Sequence, residues 1–160
     1  MGNHFVMSKK LNKCAPADFG LISKDDDTAI NPSDNSIWIK TVLYDFGWGK
    51  ENGFYKAPLP DFDTLFKLAL YSTNTDDMYG AAAVILDNFA DELLCKCEEL
   101  LMMEPCRKEE FQRLMELFKL KLPINRCSVV HKSYELIQSD YLRWKKIADI
   151  AMQKKDDKVL

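Results

Sequence analysis

The sequence predicts an all-α protein, an antiparallel bundle of about six helices that ends in a long C-terminal helix. Three observations predict this fold. Apolar residues recur at steps of three and four through most of the chain, which places them on one face of a helix. Only six glycines and six prolines occur among 160 residues, mostly between these periodic segments. The connections are short, and helices joined by short connections pack antiparallel.

Length and composition predict one helical domain over 1–160. Within it we expect an irregular arm over 1–30 and a frayed tail over 154–160. The sequence has no run of 18 apolar residues and no signal-peptide pattern. Its five cysteines are an odd number, which is typical of free thiols in a reducing compartment. We therefore expect a cytoplasmic protein without a membrane partner.

Each helix is placed by its apolar stripe and by the residues that start and stop it. Gly47 ends the first helix, because glycine tolerates the left-handed turn that follows many helices. Asn74 or Thr75 caps the third helix. The run Gly80-Ala81-Ala82-Ala83 in that helix is small enough for a neighbouring helix to approach closely. The predicted helices span 36–46, 61–71, 77–88, 91–103, 108–120 and 128–152.

The last predicted helix carries seven apolar positions at alternating steps of four and three. We interpret this seam as the side that packs on the domain's own core. A coiled-coil partner is the alternative explanation. The seam consists of Val130, Tyr134, Ile137, Tyr141, Trp144, Ala148 and Ala151.

The segment 47–60 is predicted to be a partner-binding loop, because it is rich in glycine and proline and also contains aromatic residues. Aromatic side chains provide large contact areas at low entropic cost and serve as interface anchors. An acidic rim would speed encounter with a basic partner. The alternatives are that the aromatic residues pack on the core and that the acids cap helices. The partner-binding candidates are Trp48, Phe54, Tyr55, Asp61, Asp63, Asp76 and Asp77.

The sequence predicts no cofactor, no metal and no catalytic residue. Cys95 and Cys97 would lie about 200° apart around a helix, so they do not form a zinc pair. Asp25-Asp26-Asp27 lacks the glycine and glutamate that a calcium loop requires further on. No nucleophile elbow and no phosphate-binding glycine motif occurs. The net charge of −3 does not favour nucleic acid, although Arg143-Trp144-Lys145-Lys146 forms a short basic cluster.

The segment from Asp76 to Leu86 resembles a HEAT-type helix, with acids at its start, alanines in its middle and aliphatic residues at its end. A short HEAT-like stack is therefore the second form that the all-α prediction takes. The small acidic chain with its aromatic segment also resembles bacterial immunity proteins of polymorphic-toxin systems. That resemblance implies a non-enzymatic protein that neutralises a cognate toxin by binding it, and no site residue is carried over from it.

The sequence thus predicts a non-enzymatic protein-binding module whose partner is another protein, in its most concrete form a toxin domain. One alternative is a small enzyme with an unrecognised carboxylate or Cys/His site. The other is a structural homo-oligomer, such as a homodimer, assembled through the C-terminal helix.

Overall fold

The computed structural model describes residues 3–7, 15–45, 50–103, 108–120 and 132–156. The chain divides into two compact units, Met1–Val84 and Ile85–Leu160. The prediction of a single domain over 1–160 stays a prediction.

The first unit contains a five-stranded antiparallel sheet, so the prediction of an all-α fold is wrong. The chain is mixed α/β, and neither a helical bundle nor a HEAT-like stack describes it. Across the sheet the strands follow the order β1-β5-β4-β3-β2. Along the chain they are β1 (Phe5–Met7), β2 (Ile22–Ser23), β3 (Thr28–Ile30), β4 (Ile37–Asp45) and β5 (Lys50–Lys56).

The strands replace three predicted features. The helix predicted over 36–46 is β4, whose β-branched and aromatic residues favour extended backbone. The predicted loop 47–60 contains β5. The predicted irregular arm 1–30 contains β1, β2, β3 and a 3₁₀ turn at Pro16–Phe19. In β4 the buried Trp38 follows the exposed Ile37, which is the alternation expected of a strand rather than a helix.

One face of the sheet carries an apolar cluster. Its members come from four strands and from the segment after the 3₁₀ turn: Val6, Leu21, Ala29, Trp38 and Phe54. Phe19 closes the cluster, because its ring lies edge-on to Phe54 with centroids 6.0 Å apart. This packing buries Phe54 to 1% exposure and Trp38 to 2%. We expect each of these two side chains to contribute several kcal/mol to folding.

Two predicted helices, both of which begin in the first unit, are confirmed. Helix α1 (Phe62–Tyr71) matches the prediction over 61–71, and α2 (Thr75–Asn88) matches that over 77–88. The boundary between the two compact units falls within α2. Asn74 Oδ1 accepts the backbone N–H of Asp77 at 3.1 Å, so Asn74 provides the predicted cap.

The second unit is helical over its described residues. Helix α3 (Ala90–Glu98) continues into a π-helical turn at Glu99–Met103, and α4 spans Lys108–Leu117. These elements match the helices predicted over 91–103 and 108–120, although α4 ends three residues earlier than predicted. Helix α5 (Tyr134–Asp156) matches the described part of the last predicted helix and extends into the predicted tail.

The predicted seam of α5 is only partly a core face. Trp144, Ala148 and Ala151 are buried, which confirms the interpretation for that half. Tyr134 is 74% exposed and Tyr141 is 38% exposed, so the interpretation is wrong for these two positions, while Ile137 between them is half-buried. Val130 lies outside the described residues.

Ion pairs connect α3 to α5. Arg143 donates from Nε to Glu98 Oε1 at 2.9 Å and from Nη2 to Oε2 at 2.6 Å, a bidentate arrangement. These hydrogen bonds raise the pKa of Arg143 and lower the pKa of Glu98. Lys132 Nζ donates to Asp140 at 2.8 Å and also to Asp91, and the two hydrogen bonds raise the pKa of Lys132. The arginine of the basic cluster is therefore paired within its own chain.

Candidate protein-binding surface

The aromatic candidates do not share one exposed loop. Phe54 is buried in the apolar cluster of the sheet, which is the alternative given above for this residue. Tyr55 is half-buried on the opposite face of β5, in register with Phe5 on one side and Ile39 on the other. Trp48 lies outside the described residues. Phe54 therefore offers no surface to a partner in this structure.

All four acidic candidates lie at the starts of helices, one as an N-cap and three in first turns. Asp61 caps α1, since its Oδ1 accepts the backbone N–H of Thr64 at 2.9 Å. Hydrogen bonding from Thr64 lowers the pKa of Asp61. Asp63 is exposed in the first turn of α1, and Asp76 is half-buried in that of α2. A negative charge is stabilised near the positive end of a helix dipole, so both positions suit an aspartate.

The fourth candidate, Asp77, has an internal role. Its side chain is 2% exposed, and its Oδ1 accepts the backbone N–H groups of His4 at 2.8 Å and Phe5 at 2.9 Å. Its Oδ2 accepts the N–H of Asn3 at 3.0 Å. We call this set of three hydrogen bonds the Asp77 clasp. It attaches the start of β1 to α2, and hydrogen bonds to a charged group contribute about 1.5 to 3 kcal/mol each.

Gly80, one turn after Asp77, lets β1 come close to α2. A Cβ atom at Gly80 would lie 2.4 Å from Cγ of Phe5, well inside van der Waals contact. The small-residue run was predicted to admit a neighbouring helix. At Gly80 the element that comes close is the strand β1, whose Phe5 ring lies there. Phe5 is fully buried as a result.

A row of three isoleucines crosses three strands. It was not predicted as a binding surface from the sequence. Ile22 of β2 lies directly opposite Ile30 of β3, which lies directly opposite Ile37 of β4. Residues directly opposite one another share a face with Cβ atoms about 4.5 to 5.5 Å apart. Ile22 is 60% exposed, Ile37 is 43% exposed and Ile30 is half-buried. We call this contiguous apolar patch the isoleucine row.

The isoleucine row and Phe5 belong to the same face of the sheet. The direct pairs Phe5–Tyr55 and Tyr55–Ile39 place those residues on the face of Phe5. Ile37 is two residues from Ile39 along β4, and residues two apart on a strand share a face. The face is therefore covered by α2 at its β1 end and is open at its β2 end.

An acidic turn joins the two strands that carry Ile22 and Ile30. Asp25, Asp26 and Asp27 are all exposed in this turn, against one lysine, Lys24. Asp25 shapes the turn, since it accepts the N–H of Asp27 at 3.0 Å and both the N–H and the hydroxyl of Thr28. The hydrogen bond from the Thr28 hydroxyl is the main reason why the pKa of Asp25 is lowered. The isoleucine row thus has a negatively charged border.

A hydrogen-bond chain fixes the start of β4, which carries Ile37. Asp34 accepts the hydroxyl of Ser36 at 2.6 Å and Nζ of Lys56 at 2.8 Å. The Ser36 hydroxyl in turn accepts a hydrogen bond from Nε1 of the buried Trp38 at 2.9 Å. The hydrogen bond from Lys56 is the main reason why the pKa of Asp34 lies well below its usual range. Ile37 is therefore held in place between two anchored residues.

A cleft of about 380 Å³ lies in the first unit, between the start of β1 and one side of α1. His4, Thr64, Lys67, Tyr71 and Asp77 are among its lining residues. Both oxygens of the Asp77 carboxylate are occupied by the backbone N–H groups of the clasp. The carboxylate that borders this cleft therefore holds the start of β1 in place.

Within the described residues, no group of three or more His, Cys, Asp and Glu side chains could hold a metal ion. Cys95 is exposed and Cys97 is buried, so the two thiols have different surroundings. Cys14, Cys106, Cys127 and His131 lie outside the described residues. None of the described helices combines the length and the apolar composition needed to cross a membrane.

Comparisons of the chain with protein-family models, with curated proteins and with solved structures found no match. The chemistry of the described surface is therefore the basis for a functional proposal.

Proposed function

We propose that this chain is a non-enzymatic protein-binding module that docks a protein partner on the isoleucine row. The observation that supports it best is the exposure of Ile22 and Ile37 in one contiguous row on a sheet face whose other end is buried. Exposed apolar patches with polar borders are characteristic of protein interaction sites. Burying one isoleucine side chain is worth about 1.5 to 3 kcal/mol.

The border of the row defines the chemistry of the partner. The turn Asp25-Asp26-Asp27 carries three exposed carboxylates next to the strands of Ile22 and Ile30. Charges of this kind act mainly on the rate of encounter and on the choice of partner. The partner is therefore an apolar protein surface flanked by lysine or arginine, as the acidic rim in the sequence analysis also suggested, but with different residues.

The row is preorganised, which lowers the entropic cost of binding. Ile22, Ile30 and Ile37 lie on paired strands rather than on a loop. The hydrogen bonds of Asp34 and Ser36 fix the strand start that carries Ile37. A partner therefore meets a formed surface and does not have to order it.

In its most concrete form, the proposal makes this protein a cytoplasmic immunity protein, whose partner is a toxin domain that it neutralises by direct binding. This form rests on the resemblance of the sequence to bacterial immunity proteins of polymorphic-toxin systems. It adds one expectation to the proposal: the partner captured on the isoleucine row is toxic to cells that lack this chain.

The test is site-specific photo-crosslinking in the cells that produce the protein. A photoreactive amino acid at position 22 or 37 is expected to give one discrete adduct with a basic protein. Ser23 and Lys40 provide matched controls, because both are exposed on the same two strands but point to the other face. The proposal fails if positions 22 and 37 give no adduct, or the same adducts as positions 23 and 40.

The purified partner then allows a quantitative test. Ile22→Ser and Ile37→Ser together should weaken binding by about 100-fold, because two buried isoleucines are lost. Asp26→Asn with Asp27→Asn should slow association and reduce its dependence on salt. Tyr79→Ser is the control, since Tyr79 is 48% exposed on α2. A partner that is not a toxin removes only the immunity form of the proposal.

A further inference from the structure

The side of α5 that faces solvent carries a second exposed surface, rich in aromatic and apolar side chains and unconnected to the proposed function. Tyr134, Gln138, Tyr141 and Lys145 follow one another at steps of four, three and four, so they lie along one side of the helix. Leu142 adjoins this line one turn after Gln138 and is 55% exposed. We call these five residues the tyrosine stripe. It spans about 16 Å of the helix.

The stripe is distinct from the face that α5 packs into its own unit. That buried face consists of Trp144, Ile147, Ala148 and Ala151. Tyr134 is 74% exposed. Tyrosine is among the residues most enriched at protein interfaces. The first four residues of the stripe in chain order carry no charge. A partner helix would therefore meet few charged groups at the centre of this surface.

The charges at the two ends of the stripe indicate which partner fits. Glu135 is exposed beside Tyr134, and Lys145 is exposed ten residues later. In an antiparallel pair of identical helices centred on Asp140, Glu135 of one helix lies opposite Lys145 of the other. The same register places Gln138 opposite Leu142. Two-fold symmetry produces each contact twice, so the stripe is complementary to itself.

We propose that the tyrosine stripe is a homodimer interface, on which α5 of a second copy packs antiparallel with Glu135 facing Lys145. Lys132, Asp140 and Arg143 already form ion pairs within their own chain. The dimer is expected to be weak, because the stripe is small compared with a standard interface.

The test is sedimentation equilibrium of the whole chain over the widest concentration range that stays soluble. A monomer–dimer equilibrium is expected. Glu135→Lys or Lys145→Glu alone should weaken the dimer about tenfold, because each places two like-charge contacts in the interface. The double variant Glu135→Lys/Lys145→Glu should restore the dissociation constant to within about threefold of the wild type, because the pairs are re-formed with exchanged signs.

Glu92→Lys is the matched control, since Glu92 is exposed on α3. The substitution makes the same change of charge outside α5. Circular dichroism checks that each variant is folded. A chain that is monomeric at every concentration overturns the inference. So does a dimer that ignores the two single changes, or one that Ile22→Ser abolishes. None of these results bears on whether a different protein docks on the isoleucine row.

Discussion

The two ends of one sheet face carry similar apolar residues in opposite surroundings. At the β1 end Phe5 is fully buried against α2, where Gly80 leaves room for its ring and the Asp77 clasp holds its strand. At the β2 end Ile22 is 60% exposed in a row that continues to Ile37. Apolarity alone therefore does not determine burial on this face. A covering element and a polar attachment are also required, and only the first end has both.

The largest expected effect comes from removing the clasp. Asp77→Ala leaves the N–H group of Phe5 without its acceptor at a buried position and those of Asn3 and His4 without theirs at partly buried positions. The free energy of unfolding should therefore fall by about 3 to 5 kcal/mol. Equilibrium unfolding in urea measures this loss. Asp63→Ala is the control, because Asp63 is exposed in a helix first turn and should cost less than about 1 kcal/mol. Equal losses would mean that the covered end does not depend on the clasp.

The next effect concerns the space above Phe5. Glycine to alanine inside a helix ordinarily stabilises a protein by about 1 kcal/mol. Gly80→Ala should instead destabilise the fold by about 1 to 3 kcal/mol, because its Cβ would overlap the ring of Phe5. Thermal or urea unfolding shows whether the free energy of unfolding falls or rises. Combining Gly80→Ala with Phe5→Leu should cost less than the sum of the two single changes, and strict additivity would contradict the contact.

A smaller effect is expected in the pH dependence of the open end. The pKa of Asp34 in the folded state lies below its ordinary value of 3.8, mainly because of Lys56. Its contribution to stability is therefore fully present above that value and is lost as the pH falls below it. The difference in Tm between wild type and Asp34→Asn should be larger at about pH 6 than at about pH 2.5. A Tm difference that grows as the pH falls would contradict the lowered pKa of Asp34.

The smallest effect is expected for the isoleucine row itself. Ile22→Thr and Ile37→Thr keep a β-branched side chain at exposed strand positions, so stability should change by no more than about 0.5 kcal/mol each. Phe5→Ala at the covered end of the same face should cost about 3 to 5 kcal/mol. Differential scanning calorimetry of the three variants compares the two ends. Losses of similar size at both ends would mean that the row is packed and not free to bind.

The sequence predicts the helical half of this fold better than the sheet. Asp61 and Asn74 are short polar residues before periodic apolar runs, and both cap the helices that they were expected to start. Such signals are local, so they do not depend on the rest of the chain. Helix α5 was found for a related reason: its apolar residues repeat over many turns, which few strands can imitate.

The sheet was missed because short apolar runs fit more than one period. In β4, Ile39 and Leu43 lie four residues apart, which fits a helical stripe, but Ile37, Trp38 and Ile39 also fit a strand with one buried face. The content of β-branched and aromatic residues favours the strand and is the signal that distinguishes the two. Three of the other strands are two or three residues long, too short to show any period.

The candidate site was missed for a different reason. Ile22, Ile30 and Ile37 become neighbours only through the register of three strands, which no spacing along the chain reveals. Asp77 was selected as an acid at a helix start, but its role depends on β1, a strand 70 residues away in sequence. Contacts between distant segments are the part of a fold that local patterns do not encode.

The Asp77 clasp has a consequence for the dynamics of β1. A strand of three residues at the edge of a sheet would ordinarily fray, and its amide protons would exchange quickly with solvent. The amides of His4 and Phe5 instead donate to a buried carboxylate on a helix, so they open only when β1 and α2 separate. Deuterium uptake at these two positions should therefore be as slow as in the central strands, which would place the first residues of the sheet among its last to open.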